Sequence, residues 1–196
     1  MKIGLSAEST IDLDEAHLKK YDIHTLPFHV QKGGEEGFDF NFKNEDLFKY
    51  TLDTGVMCHT SACNIGELQE HFAKMFAMGY EKIIHFTISS GISSGYNNAA
   101  AVAQNDSRIV VIDSHGTSGG IGIQAIYAHE LIEGGYPLEE VVEKVIARRP
   151  FMQCSFQLDR LDFLYKGGRC SKLALIGANI LHIKPEIICD PEGKFT

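Results

Sequence analysis

Short runs of consecutive apolar residues alternate along this chain with longer stretches whose apolar positions recur every three or four residues. That alternation predicts strands and helices in turn. Residues 2–5 predict a first strand, and Asp12 is placed to cap a short helix over 14–21, acids first and lysines last. Residues 23–30 predict an extended segment broken by Pro27, which leads to a Gly-rich turn over 32–37. Asn44 then caps a helix to about 52. Asn64 caps another, where Ile65, Leu68, Phe72, Met75 and Phe76 make a core-facing stripe. A strand at Ile83 runs into a serine-rich turn and an Ala-rich helix over 95–103. Residues 108–113 predict a buried parallel strand, and a second Ser/Gly turn over 114–120 follows. A long helix to about 133 and another from Pro137 to 148 complete this half.

Repeated strand–helix units with short turns imply an α/β fold, a doubly wound parallel sheet whose ligands bind at the carboxyl ends of the strands. The texture changes after Pro150. Residues 151–158 predict a strand, 161–165 a short helix, 171–181 a small-residue helix and 183–189 a strand ahead of a turn over 190–193. The chain stops at Thr196, where a partner strand is expected to begin. The expected organisation is an N-terminal α/β domain over 1–149 and the first part of a second, incomplete α/β domain over 150–196.

Composition narrows the function. The 196 residues are 44% apolar and 22% charged, enough for a sizeable core. Eighteen basic against 26 acidic residues leave a net charge of −8, which argues against a nucleic-acid surface. No apolar run reaches the ~18 residues of a membrane span, so no stable membrane insertion is expected. The five cysteines are scattered, and Cys58, His59 and Cys63 lack the second ligand pair that structural zinc needs. A reduced, cytoplasmic protein without metal or cofactor is expected.

The candidate chemistry gathers in two turns. In Thr87 to Ala100, four serines lie within six residues between a strand and a helix. Unpaired N–H groups at the first helical turn, together with the helix dipole, favour an anion there. Gly91-Ile92-Ser93-Ser94-Gly95 also matches the G-x-S-x-G pattern of a nucleophile elbow. Ser93 with Asp113 and either His129 or His182 would complete a hydrolase triad, so an esterase or thioesterase is the alternative. A phosphosugar- or nucleotide-binding domain is a third reading, resting on fold alone. His115 in the second turn is a base, an anion donor or a solvated loop residue. Thr60 and Ser61 cap the following helix locally or aim two hydroxyls at the same pocket. Gly167-Gly168-Arg169 is a helix C-cap or an arginine held for a carboxylate or phosphate.

Taken in order, these segments resemble the DegV family of bacterial fatty-acid-binding proteins. The marks are Ala7-Glu8-Ser9-Thr10-Ile11-Asp12-Leu13, Leu26-Pro27-Phe28, Thr60-Ser61, Ile88-Ser89-Ser90-Gly91-Ile92-Ser93, Val111-Ile112-Asp113-Ser114, Lys166-Gly167-Gly168-Arg169 and Ile183-Lys184-Pro185. The family commonly carries Asp where Glu8 stands, Ser-Gly-Thr where Ser93-Ser94-Gly95 stands, and Thr-Ser-Gln-Pro-Ser over positions 60–64. Its threonine hydroxyl is therefore missing at Gly95.

The resemblance implies two α/β domains with a long-chain fatty acid between them. Ser61 and Ser93 would hold the carboxylate, with Thr60, Ser94 and Gly95 beside them. Arg169 and Gly168 would lie near the head group or on the surface that docks a kinase. A separate fatty acid kinase catalytic subunit would phosphorylate the presented carboxylate, and the acyl phosphate would feed phospholipid synthesis. The resemblance makes this chain a carrier without chemistry of its own. No G-x-x-x-x-G-K-[ST] run provides an ATP site. The family continues beyond the point where this chain stops, so a truncated form is expected.

Overall fold

In a computed structural model of the chain, residues 1–171 and 184–196 are described. Four strands, β1 (Ile3–Glu8), β2 (Ile23–Leu26), β6 (Lys82–Thr87) and β7 (Ile109–Asp113), form one parallel sheet in the order β2-β1-β6-β7. Three short strands, β3 (His29–Lys32), β4 (Glu35–Phe38) and β5 (His59–Ser61), form an antiparallel sheet in the order β4-β3-β5. The last two, β8 (Ser155–Gln157) and β9 (Glu186–Ile188), pair antiparallel. Seven helices are described: α1 (Glu15–Lys20), α2 (Asn44–Thr54), α3 (Ile65–Ala77), α4 (Gly95–Ala103), α5 (Gly119–Glu133), α6 (Leu138–Arg148) and α7 (Asp162–Lys166). The α/β fold expected from the sequence is the one found.

Alternation along the parallel strands divides the core between the two faces of the sheet. Leu5, Ala7, Ile84, Phe86 and Ile112 pack with Ile121, Ala125 and Ala128 of α5 and Val141 and Val145 of α6. On the other face Ile83 and Ile109 meet Leu68, Phe72 and Met75 of α3 and Ala99 and Val102 of α4. Helices thus cover both faces, and the strands read as continuous apolar runs because both sides are buried. One polar line crosses the α3 face. Ser6 Oγ lies 2.8 Å from both His71 Nε2 and His85 Nδ1, while His85 Nε2 has no partner among the described residues.

Several local details differ from the sequence expectation. Asp14, not Asp12, caps α1, its side chain accepting from His17 N–H at 2.8 Å. Asp12 instead takes a left-handed conformation (φ 59°) after a 3-10 turn over Ser9–Ile11. Asn44 is already inside α2, and Lys43 occupies the cap position without a side-chain bond. Asn64 does cap α3, in a reciprocal box with Glu67. Ile65, placed in the apolar stripe by its spacing, is instead exposed in that first turn. Residues 151–158 hold only the three-residue β8, because a 3-10 turn over Arg149–Phe151 continues α6 past Pro150. The predicted helix over 171–181 lies almost wholly outside the described residues.

Gly4 on β1 is a packing requirement. A Cβ there would come within 2.8 Å of the Tyr80 ring and 2.9 Å of Met75 Cε. Gly4→Ala is expected to cost about 1–3 kcal/mol by overpacking, read as a lowered midpoint in urea. Gly119→Ala, whose Cβ would meet nothing within 4 Å, should leave that midpoint unchanged or raise it.

Candidate functional site

The neighbours of β1 are β2 on one side and β6 on the other, so the order of the sheet reverses at β1. A crevice opens at such a switch point, outside the carboxyl ends of the strands. Glu8 ends β1, and Thr87 ends β6 beside it. Ile88 N–H donates to Glu8 Oε2 at 2.7 Å, tying the two strand ends together.

The serine turn is built on that tie. Ser89 O accepts from Ile92 and Ser93 N–H at 3.0 and 3.1 Å, and buried Ser89 Oγ accepts from Gly91 N–H at 3.2 Å. Ser90 N–H donates to Asp113 Oδ1 at 3.2 Å, which links the turn to the end of β7. Ser93 Oγ, half-buried, accepts from Gly95 N–H at 3.3 Å and so satisfies one donor at the start of α4. Its own O–H has no acceptor among the described residues. Ser94 is exposed at the cap position and makes no side-chain cap bond. Gly95 is buried because Glu8 lies against it; a Cβ at 95 would fall 1.9 Å from Glu8 Oε1.

The second turn braces the first. Asp113 Oδ1 also accepts from His115 N–H at 3.1 Å, and Ser89 N–H donates to Gly116 O at 3.0 Å. His115 Nδ1 meets Pro191 O at 2.8 Å, bringing in the turn between β9 and the chain's last residues. Gly193 in that turn has φ 77°, and a Cβ there would clash with Ser89 Oγ at 2.0 Å. The 190–193 turn therefore seats directly on both serine turns. Thr196 N–H and O both pair with Ile188, so the arm expected to lack a partner begins a second one here.

Gly168 and Arg169 join this site from α7. Gly168 N–H donates to Tyr165 O and Arg169 N–H to Leu164 O, at 3.0 and 2.8 Å, with Gly168 at φ 78°. That is a Schellman C-cap, which only glycine at 168 forms without strain. The arginine is nevertheless directed: Nη2 donates to Ile92 O of the serine turn at 3.2 Å and Nη1 to Gly167 O. Both partners are neutral carbonyls, so no carboxylate pairs with this exposed guanidinium among the described residues. It borders a cavity of about 980 Å³ whose walls include Gly91, Ile92, Leu161, Ile187 and Phe195.

Thr60 and Ser61 are exposed on β5 and line a separate cavity of about 340 Å³ with His29, Gln31 and Glu36. Ser93 and Ser94 line neither cavity. The segments that carry these two sets of hydroxyls are linked instead by a side chain. Asn98 Nδ2 of α4 donates to Cys63 O at 2.9 Å, two residues after Ser61.

Glu8 is the residue that motif reading left out of the site. Burial pushes its carboxyl up to about 7; the Ile88 hydrogen bond opposes the rise and the Asp113 charge adds to it. The signal was present: an acid closing an otherwise buried strand has no bland explanation. Cys63, on Pro27 O at 2.7 Å, is likewise raised by burial, to about 12, and is a neutral thiol.

The hydrolase constellation does not assemble among the described residues. Ser93 does not have the positive φ of a strained elbow, and no histidine hydrogen-bonds its Oγ. His129 stacks edge-on with Tyr21, 5.4 Å between ring centres, on α5. His115 Nε2 lies 3.7 Å from Asp113 Oδ2 but Nδ1 is held by Pro191. His182 lies outside the described residues. No three His, Cys, Asp or Glu side chains converge as metal ligands among the described residues.

Residues 2–194 match the family described as "Uncharacterised protein, DegV family". A DegV domain-containing protein of Clostridium acetobutylicum is 35% identical over 188 residues, covering 93% of this chain and 66% of its own length. A fatty acid-binding protein of Thermotoga maritima is 29% identical over 190 residues, covering 94% and 66%. This chain therefore spans about two thirds of the length of the curated relatives it matches. A solved DegV family protein of Thermus thermophilus superposes with a TM-score of 0.90 at 24% identity, over all of this chain and 70% of that one, which shows the same fold.

The buried titratable groups set a pH dependence of stability. Burial holds folded His71 and His85 down at about 4 and about 3, so below pH 6.5 the unfolded chain binds two more protons. Glu8 acts oppositely, because the folded chain keeps its proton up to about 7. Between pH 5 and 6 the unfolded state thus binds a net excess of one proton. Stability should rise there by about 1.4 kcal/mol per pH unit, and Glu8→Gln should roughly double the slope. Urea unfolding at pH 5.0, 5.5 and 6.0 measures both; equal slopes in the two proteins would contradict this assignment.

Proposed function

The chain belongs to the DegV family, and we propose that it binds a long-chain fatty acid with the carboxylate at the serine turn. The observation that carries this reading is the position of Gly91 and Ile92. They belong to the hydrogen-bonded serine turn and also form a wall of the 980 Å³ cavity. A head group at the turn and a tail along Ile92, Leu161, Ile187 and Phe195 of the adjoining cavity match the two halves of a fatty acid. The Thermotoga relative is itself described as a fatty acid-binding protein.

In this reading Ser93 donates its free O–H to the carboxylate, and Ser94 and the α4 N-terminus at Gly95 add polarity around it. Thr60 and Ser61 contribute from β5, brought toward α4 by the Asn98–Cys63 hydrogen bond. Burying ~14 methylenes at about 0.8 kcal/mol each supplies roughly 11 kcal/mol of gross transfer energy. Ordering the tail and immobilising the ligand remove part of that. The tail therefore sets affinity, and the hydroxyls set orientation.

The chain presents the carboxylate to a separate fatty acid kinase catalytic subunit in the cytoplasm, which forms the acyl phosphate used in phospholipid synthesis. Supporting this carrier role, Ser93 has no base against it among the described residues. Arg169, exposed and charged beside Gly168, is placed to steer the head group or dock the kinase. Residues 1–149 form the head-group domain and 150–196 belong to the second domain that closes over the tail.

Titration with palmitate, followed by intrinsic tyrosine fluorescence or calorimetry, tests the assignment. Ser93→Ala should weaken binding about 10-fold or more, as expected for a lost hydrogen bond to a charged group, with no ester hydrolysis in either protein. Hydrolysis of a long-chain nitrophenyl ester by the wild type that is lost in Ser93→Ala would establish the esterase reading instead.

A further inference from the structure

Glu8 stands where its protonation bears on any anion at the serine turn. Ile88 N–H donates to Oε2, while Oε1 is turned over the first residue of α4, in the space a Cβ at Gly95 would need. The residue is 2% exposed, and among the described residues hydrogen bonds reach only Oε2. The first turn of α4 carries no acidic side chain of its own. Glycine at 95 thus admits a carboxyl group beneath the helix end that the ligand's carboxylate would approach from outside.

We propose that Glu8 is the positioning residue of this head-group site and must be protonated when an anionic ligand is bound, so that binding takes up a proton wherever the free protein holds Glu8 ionised. The inference rests on the reading of the serine turn as the head-group seat. Two ionised carboxylates at one helix end repel strongly, and one of such a pair is held protonated. The ligand's carboxylate has the serine hydroxyl and free N–H groups to stabilise its charge, whereas Glu8 is enclosed. The proton therefore resides on Glu8.

The surroundings favour this outcome from each side. β2 places Leu26 opposite Glu8, and α4 contributes Gly95. Asp113 at the end of β7 adds negative charge, tempered by the Ser90 and His115 N–H groups, by His115 Nε2 at 3.7 Å and by Arg149, which donates to Asp113 O at 2.8 Å. Cys63 ahead of α3 is a neutral thiol. Asp39 is held by the Ser9 hydroxyl and faces Cys63. Glu8 already holds its proton up to about pH 7 without ligand. Apparent affinity should be flat below pH 7 and fall about tenfold per unit above it.

The test uses hexadecyl sulfonate, whose charge is fixed, alongside palmitate. Calorimetry at pH 7.5 in two buffers of different ionisation enthalpy reads the protons taken up per ligand. With the free carboxyl titrating at about 7, wild type should take up roughly three quarters of a proton with both ligands. Glu8→Gln should bind both with no uptake and with the same affinity from pH 6 to 9. Wild-type binding without proton uptake would overturn this inference while leaving the fatty-acid reading in place. Uptake that persists in Glu8→Gln would also overturn it, by placing the proton elsewhere. Failure of wild type to bind either ligand anywhere between pH 6 and 9 would overturn the fatty-acid reading itself. Glu8→Asp, which keeps the carboxyl, should retain the uptake and covers the case in which the glutamine variant does not fold.

Discussion

One buried contact organises the carboxyl edge of this sheet: Ile88 N–H on the Glu8 carboxyl, across the point where strand order reverses. A parallel sheet must send its chain out at that edge, and each exit leaves backbone groups unpaired. Here the exits of β1 and β6 are closed against each other by a side chain rather than by a ladder bond. The position of the serine turn follows from that closure, because Ile88 leads directly into Ser89. Burial of the acid has a cost, which the chain meets by holding the group at the neutral edge of its titration.

From that tie the remaining contacts spread outward in a consistent direction. Asp113 joins the first turn to the second, Ser89 and Gly193 join both to the last turn of the chain, and Arg169 joins α7 to Ile92. Ser89 and Ser90 are engaged within the protein, Ser89 through its hydroxyl on Gly91 N–H and Ser90 through its backbone N–H on Asp113. Ser93 accepts from Gly95, and its own O–H has no acceptor among the described residues. In the proposed reading, stabilising the turn and binding an anion fall to different residues of one segment. The large cavity adjoins the segment through Ile92, whose carbonyl Arg169 holds.

The sheet and its covering helices were legible because their apolar periods are long and consistent, as in Ile83–Phe86 and the stripe from Leu68 to Met75. Cap residues were read less well where two candidates lie close together. Asp12 and Asp14 are both good cap types, and the 3-10 turn over Ser9–Ile11 decides between them. The strand expected over 151–158 shrinks to Ser155–Gln157 because a 3-10 turn over Arg149–Phe151 follows directly on α6. Glycine and arginine in Gly167-Gly168-Arg169 were read as alternatives, cap or anion holder. The structure shows the cap and a directed guanidinium together. Glu8 signals itself as an acid at the end of an apolar strand, but its contact with Gly95 is one that sequence spacing alone does not reveal.

The measurement that bears most directly on the central claim is native mass spectrometry of the purified protein, followed by analysis of its organic extract. One long-chain fatty acid retained per chain, or taken up stoichiometrically when palmitate is supplied, is the predicted result. A protein that stays empty even when saturated fatty acid is supplied in excess would contradict the account.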